Sequence, residues 1–434
     1  MDKMADVLGR AGAWCGQNKY LSAIKNAFQN FMPLTIAGAI GVLWCNVLVN
    51  DQTGLGMFFK PVMALDFLNP AFQAVNFCTI SCITVGITLG IAQEIGVWNM
   101  GAEKAGYIPG LVGLAAWLSV TNTSHMVEGA KEAFTGIAGN ELGATGLFTG
   151  MIIGVLSVEL FCFFEKQDAL KIKMPEQVPP GVARAFEVLV PATITLIITA
   201  CIGSACYNLT GLYLNDVIKN GIQGPLGAVG ATIPGVMIIY LVIMLFWLVG
   251  IHGNNMLSAV KEALFTPLAL ENVEAFNKHE TPKNIINMYA LQMWGEFGGS
   301  GVTIGLVIAI MIFGKREDNK AIASLSLVPG LFNINETVTF GIPMVLNPIL
   351  GIPFVFAPLI TIIIGYVLTV IGFCPVACLT VPWTTPPLVF GFLATGANIM
   401  GAVTQAILIV VSTVIYTPFL ISYEKYQNKQ AAEA

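Results

Sequence analysis

The sequence predicts an all-α polytopic membrane protein, and three observations carry that prediction. Of its 434 residues, 56% are hydrophobic and only 10% are charged, whereas soluble domains carry about 25% charge. The mean hydropathy is +0.76. From Thr337 to Tyr423 there is not one Asp, Glu, Lys or Arg. So few charges cannot cover a soluble fold, and the bilayer is the solvent that suits this composition. Within it the backbone must satisfy its own hydrogen bonds, which favours helices.

In chain order, residues 1–26 hold Asp2, Lys3, Asp6, Arg10, Lys19 and Lys25 ahead of the first apolar run. That charge argues against a cleaved signal peptide and for a retained first span. Over 13–27, Tyr20, Ile24 and Ala27 recur at helical spacing with Lys19 and Lys25 off that line, the pattern of an interfacial helix. Uncharged stretches near 28–49, 67–93, 105–124, 143–164, 188–212 and 230–252 read as six spans. Beyond them 261–283 is polar, 298–314 is apolar, and Lys315, Arg316, Glu317, Asp318 and Lys320 form a charged patch. The charge-free stretch that follows has room for three or four passes.

Cations beside the spans orient the chain. Lys3, Arg10, Lys19 and Lys25 precede the first span, Lys166, Lys171, Lys173 and Arg184 follow the fourth, and Lys425 and Lys429 lie at the end. All three clusters share one face when an even number of spans separates them. Both termini and the 165–187 loop are therefore expected in the cytoplasm. The 315–320 patch breaks the parity, because counting places it outside while its charge argues inside. A segment between 253 and 314 that enters and leaves by one face would resolve the conflict.

Gly and Pro interrupt the later apolar segments at Gly295, Gly298, Gly299, Gly301, Pro329, Gly330, Gly341, Pro343, Pro348, Gly351, Pro353, Pro382, Pro386 and Pro387. Broken backbone at membrane depth needs protein or a water-filled cavity around it, and in transporters it lines the substrate site. The chain is accordingly expected to divide near 225, into a regular half (1–225) and a site-bearing half (226–434).

Each ionisable or amide side chain beside an apolar run needs a reason. His252 follows the run 235–250 directly and is trailed by Asn254 and Asn255; Glu336 stands with Asn333 and Asn335; Glu296 lies among glycines; Trp294 and Trp383 are candidate stacking rings. Amides, a carboxylate, a neutral imidazole and indoles suit a sugar, whose hydroxyls both donate and accept. A fixed cation is missing from every deep segment identified in this way, which disfavours an anionic substrate.

Other classes fit less well. A net charge of −5 without a basic run excludes nucleic acid as an expected partner. His125, His252 and His279 are too far apart for a metal site, no cofactor motif occurs, and the nine cysteines, without a C-x-x-C pair, read as small buried hydrophobes. Gly298-Gly299-Ser300-Gly301 looks like a nucleophile turn, yet no histidine follows His279 to serve an intramembrane serine protease. A membrane subunit without a substrate leaves the polar cluster unexplained.

Four motifs in order resemble the lactose/cellobiose/diacetylchitobiose family of sugar phosphotransferase system (PTS) permeases, the EIIC component. They are Gly250-Ile251-His252-Gly253, Phe332-Asn333-Ile334-Asn335-Glu336 followed by the 340–348 run, Val381-Pro382-Trp383-Thr384-Thr385-Pro386-Pro387, and the segment from Asn18 to Lys25 leading into Phe31-Met32-Pro33-Leu34. Thr337 departs from the family, whose members more often carry proline after the Glu. The resemblance implies about ten transmembrane helices with two re-entrant hairpins, and a homodimer in a bacterial inner membrane. The amino-terminal half would make the dimer contact and the carboxy-terminal half would hold a disaccharide. It implies that His252 and Glu336 hydrogen-bond the hydroxyl that becomes phosphorylated, with Asn333 and Trp383 nearby. Phosphate would come from a phosphocysteine on EIIB, supplied through EIIA, since no cysteine here lies in a soluble phosphate-cradling loop; whether the chain itself counts as an enzyme stays open. The alternative is a proton-coupled secondary sugar transporter in which Glu336 and His252 carry the proton.

Overall fold

The computed structural model describes residues 2–51, 55–125, 134–175 and 177–433. Helices make up most of it; among the described residues the one sheet is the antiparallel pair of β1 (Ser124–His125) and β2 (Phe134–Thr135). Among the described residues five helices are long and apolar enough to cross a membrane, or six if the pair Lys60–Ser81 and Ile83–Met100, bent by 42°, counts as one span.

The chain forms two compact units. One comprises Gln17–Gly38 and Ala74–Gly227; the other comprises Met1–Gly16, Ala39–Gln73 and Ala228–Ala434. One boundary falls at 227/228, and the later unit also takes two early segments that patterning did not foresee.

The first long helix, α1 (Lys19–Leu43), starts earlier than the expected span because Asn18 caps it, its Oδ1 accepting from the Tyr20 and Leu21 N–H groups at 3.1 Å each. The stretch 13–27 is therefore not one interfacial helix but straddles a break at Asn18. In the unit holding Ala74–Gly227, α2 (Ile83–Met100) packs with α3 (Ile108–Val120) and α4 (Ala144–Glu165), and α5 (Pro180–Thr210) completes the bundle. Ile83, Ile87, Ile91 and Ile95 recur every four residues on α2 and are all buried. Where α2 meets its neighbours the residues are small: a Cβ on Gly113 would collide with Ala92, and one on Gly150 with the Thr88 hydroxyl. Such close approach is how helices gain packing energy where lipid removes the hydrophobic drive.

The other unit carries the broken segments. Its helices include α6 (Ile233–Leu248), α7 (Gly253–Met256), α8 (Ser258–Asn277), α9 (Met288–Gly295), α10 (Ile304–Phe313), α11 (Glu317–Leu331), α12 (Glu336–Gly341), α13 (Gly351–Val370) and α14 (Ile399–Glu433). After α8 the chain doubles back, because Asn284 bonds Asn272 in both directions, at 2.8 and 3.0 Å, and reaches the Leu268 carbonyl at 3.0 Å. The apolar stretch 298–314 yields only the ten residues of α10, since 298–303 is a turn with Gly298, Gly299, Gly301 and Val302 at positive φ. The charge-free stretch holds two full-length helices, α13 and α14.

The 315–320 patch is tied to the end of α14. The Glu424 carboxylate, 5% exposed as a residue, accepts from the Lys315 and Arg316 N–H groups at 2.8 and 3.3 Å and from Asn319 Nδ2 at 3.1 Å. Arg316 also donates to Asn428 at 2.8 Å. The patch is therefore held directly against the carboxy-terminal end of α14.

Candidate functional site

His252 is aimed by three local features. Gly250, at φ 82°, reverses the chain after α6. Gly253 permits the next turn to lie against α6, where any Cβ would collide with the Ile243 backbone. His252 then caps α7: its Nδ1 accepts from the Asn255 N–H at 3.3 Å. A neutral imidazole that accepts on Nδ1 carries its proton on Nε2, and Nε2 lies 3.8 Å from Glu336 Oε1. Trp247 backs the ring, with centroids 4.4 Å apart and planes tilted by 47°.

Glu336 opens α12, where the helix N-terminus favours a carboxylate. The His252 and Glu336 side chains are 40% and 48% exposed, so both remain accessible to a solute. The asparagines before Glu336 are used on backbone. Asn333 Oδ1 accepts from the Gly298 N–H at 2.7 Å, while Nδ2 donates to the Trp383 and Thr385 carbonyls at 2.5 and 3.0 Å. Asn335, buried, donates to the Ser300 carbonyl at 2.6 Å. Gly299 leaves room for it, since a Cβ there would meet the Asn335 side chain at 2.6 Å. These two amides thus join three separate turns and set where Glu336 stands.

The remaining candidates divide. Trp383 is 44% exposed in a turn whose Thr385 N–H donates to the Pro382 carbonyl at 2.9 Å, and it can offer a ring face to a sugar. Asn254 is half-buried and Asn255 exposed, next to His252. Trp294 is 1% exposed and fills the slot left by Gly365, where a Cβ would collide with the indole. The expectation that it stacks on a sugar is corrected by that packing. Glu296 accepts from the Tyr240 hydroxyl at 2.7 Å and pairs with Lys261, whose Nζ also lies 5.5 Å from the centre of the Tyr240 ring.

Lys261 corrects the reading that no cation lies deep: its side chain is 7% exposed. The signal was present. Lys261, Phe265, Ala269 and Asn272 follow helical spacing and are all buried along one face of α8, but the neighbouring Glu262, Glu271 and Glu274 made the segment look solvated. Among the described residues no group of His, Cys, Asp and Glu side chains could hold a metal ion.

The site thus pairs an imidazole with a carboxylate on turns held by amides, one of which carries the exposed Trp383. Residues 25–358 match the family described as the phosphotransferase system, EIIC. The chain belongs to that family. The oligo-beta-mannoside-specific EIIC component of Bacillus subtilis (strain 168) is 32% identical, over 98% of this chain and 94% of that one. The cellobiose-specific EIIC component of Lactococcus lactis subsp. lactis (strain IL1403) is 29% identical over 98% of each. Among solved structures, the transporter ChbC, the IIC component of an N,N'-diacetylchitobiose-specific phosphotransferase system, superposes with a TM-score of 0.88 at 30% identity over 97% of both chains. This EIIC chain is therefore an integral membrane sugar-transport component of a phosphotransferase system, and EIIB is the partner that its family implies.

Proposed function

We propose that this chain binds a β-linked disaccharide of the cellobiose, diacetylchitobiose or lactose type and presents it to phosphorylated EIIB, which converts it to sugar phosphate during entry. The observation that carries the reading is His252 Nε2 facing Glu336 Oε1 at 3.8 Å, both exposed. A hydroxyl seated between them accepts from the imidazole and donates to the carboxylate. Trp383 supplies an apolar face for a pyranose ring, and Asn254 and Asn255 supply further hydrogen-bonding groups. Asn333 and Asn335 act by placing Glu336. In this reading residues 226–434 hold the sugar and residues 1–225 make the contact of a homodimer.

Both termini and the 165–187 loop face the cytoplasm of a bacterial cell, following the lysines and arginines beside the spans. The bonds from Lys315, Arg316 and Asn319 to Glu424 support a cytoplasmic 315–320 patch once the carboxy terminus is placed there. The segment 253–295, which turns back on itself, is then a re-entrant hairpin.

Titrating the purified protein with cellobiose, diacetylchitobiose and lactose tests the reading. One of them is expected to bind, and His252→Ala is expected to weaken that binding by at least about tenfold, the loss of one hydrogen bond to a polar partner. Equal affinity in the variant would remove the imidazole from the sugar site.

A further inference from the structure

The Lys261 and Glu296 pair takes no part in the site described above, yet it joins the two arms that carry it. Glu296 Oε1 holds both the Lys261 ammonium and the Tyr240 hydroxyl, and the two charged side chains are 7% and 16% exposed. On one arm, Tyr240 belongs to α6, whose end leads through Gly250 to His252, and Lys261 lies in the first turn of α8, directly after the turn that His252 caps. On the other arm, Glu296 is two residues from Gly298, whose N–H donates to Asn333, and four from Ser300, whose carbonyl accepts from Asn335; Glu336 follows. A shielded ion pair is a weak source of net stability, because desolvation offsets much of its attraction, but its bonds are directional. We infer that Lys261, Glu296 and Tyr240 form a positioning strut that fixes the separation of His252 and Glu336 for phosphoryl transfer, an inference resting on the phosphotransferase reading above.

In that step the sugar hydroxyl oxygen attacks the phosphorus of the EIIB phosphocysteine. An O–P bond forms, the S–P bond breaks, the thiolate leaves on EIIB, and the hydroxyl proton passes to the Glu336 carboxylate. Binding draws on the whole pocket, whereas in-line attack depends on one oxygen being placed to within about an ångström, an error of that size costing about 100-fold in rate. The strut therefore governs turnover more than affinity.

The test uses the full chain in vesicles with phosphorylated EIIB and whichever of cellobiose, diacetylchitobiose or lactose the wild-type protein binds. The double variant Lys261→Met/Glu296→Gln removes both charges, so neither is left buried alone, and keeps an acceptor for Tyr240. We expect its sugar affinity to stay within about threefold while the rate of sugar phosphorylation falls about 100-fold. Tyr240→Phe, which deletes one hydroxyl and decides the matter if the double variant does not fold, should show the same split at about tenfold. An unchanged rate in either variant that folds, or affinity and rate falling together with the melting temperature, would overturn the strut. Wild-type protein that binds sugar but forms no sugar phosphate would instead strike the phosphotransferase reading itself.

Discussion

Asn333 ties the segment before Glu336 to two other turns. Its amide makes three hydrogen bonds to backbone in two other turns, and its φ of 62° lies in a region that asparagine tolerates better than most side chains. Asn333→Ala should lower stability by about 2–3 kcal/mol, the net worth of the lost bonds. It should also weaken sugar binding, because Glu336 loses its placement; thermal unfolding and a sugar titration read the two effects, and full affinity in the variant would show that the turns hold without it. Glu336→Gln tests the contact itself: the amide keeps the size but offers one acceptor oxygen in place of two. Transport should fall at least about tenfold while the protein stays monodisperse. At this scale the sequence exposed His252 and Glu336 because an ionisable group beside an apolar run demands a reason. It hid the burial of Trp294, since an indole reads alike in a core and in a pocket, and it hid Lys261 among neighbouring carboxylates that make the segment read as polar.

Among the elements, helix type was legible from hydropathy and helix length was not. The stretch expected to span at 230–252 yields the sixteen residues of α6, and 298–314 yields the ten of α10, because glycines at 250 and at 298, 299 and 301 take backbone that a helix cannot use. The clamp between Glu424 and the 315–319 turn could not be foreseen, as it joins groups more than 100 residues apart. Glu424→Ala leaves three donors without their acceptor and should destabilise the protein by about 2–4 kcal/mol. Fluorescence-detected thermal unfolding in detergent measures this, and an unchanged midpoint would mean that water replaces the carboxylate freely. The loop after α4 offers a check on orientation. A cysteine at Gln167, in a background lacking accessible native thiols, should react with a membrane-impermeant reagent only after cells are opened; labelling of intact cells would invert the proposed topology.

For the molecule as a whole, the division into two units with early segments joined to the later one was illegible, because such joining depends on contacts distant in sequence. What the sequence did carry was the order of four motifs along the chain, and the structure brings His252 and Glu336 from two of them to 3.8 Å. Taken alone that pair would also suit a proton symporter, and the two mechanisms differ in what drives uptake. A symporter must load and release a proton to do work, whereas a permease of this family needs its imidazole only to hold a hydroxyl. Vesicles containing the wild-type protein alone, given an imposed pH gradient, should accumulate no sugar, and the same vesicles supplied with phosphorylated EIIB should build up sugar phosphate inside. Concentrative uptake of unmodified sugar that follows the pH gradient and ignores EIIB would contradict the account.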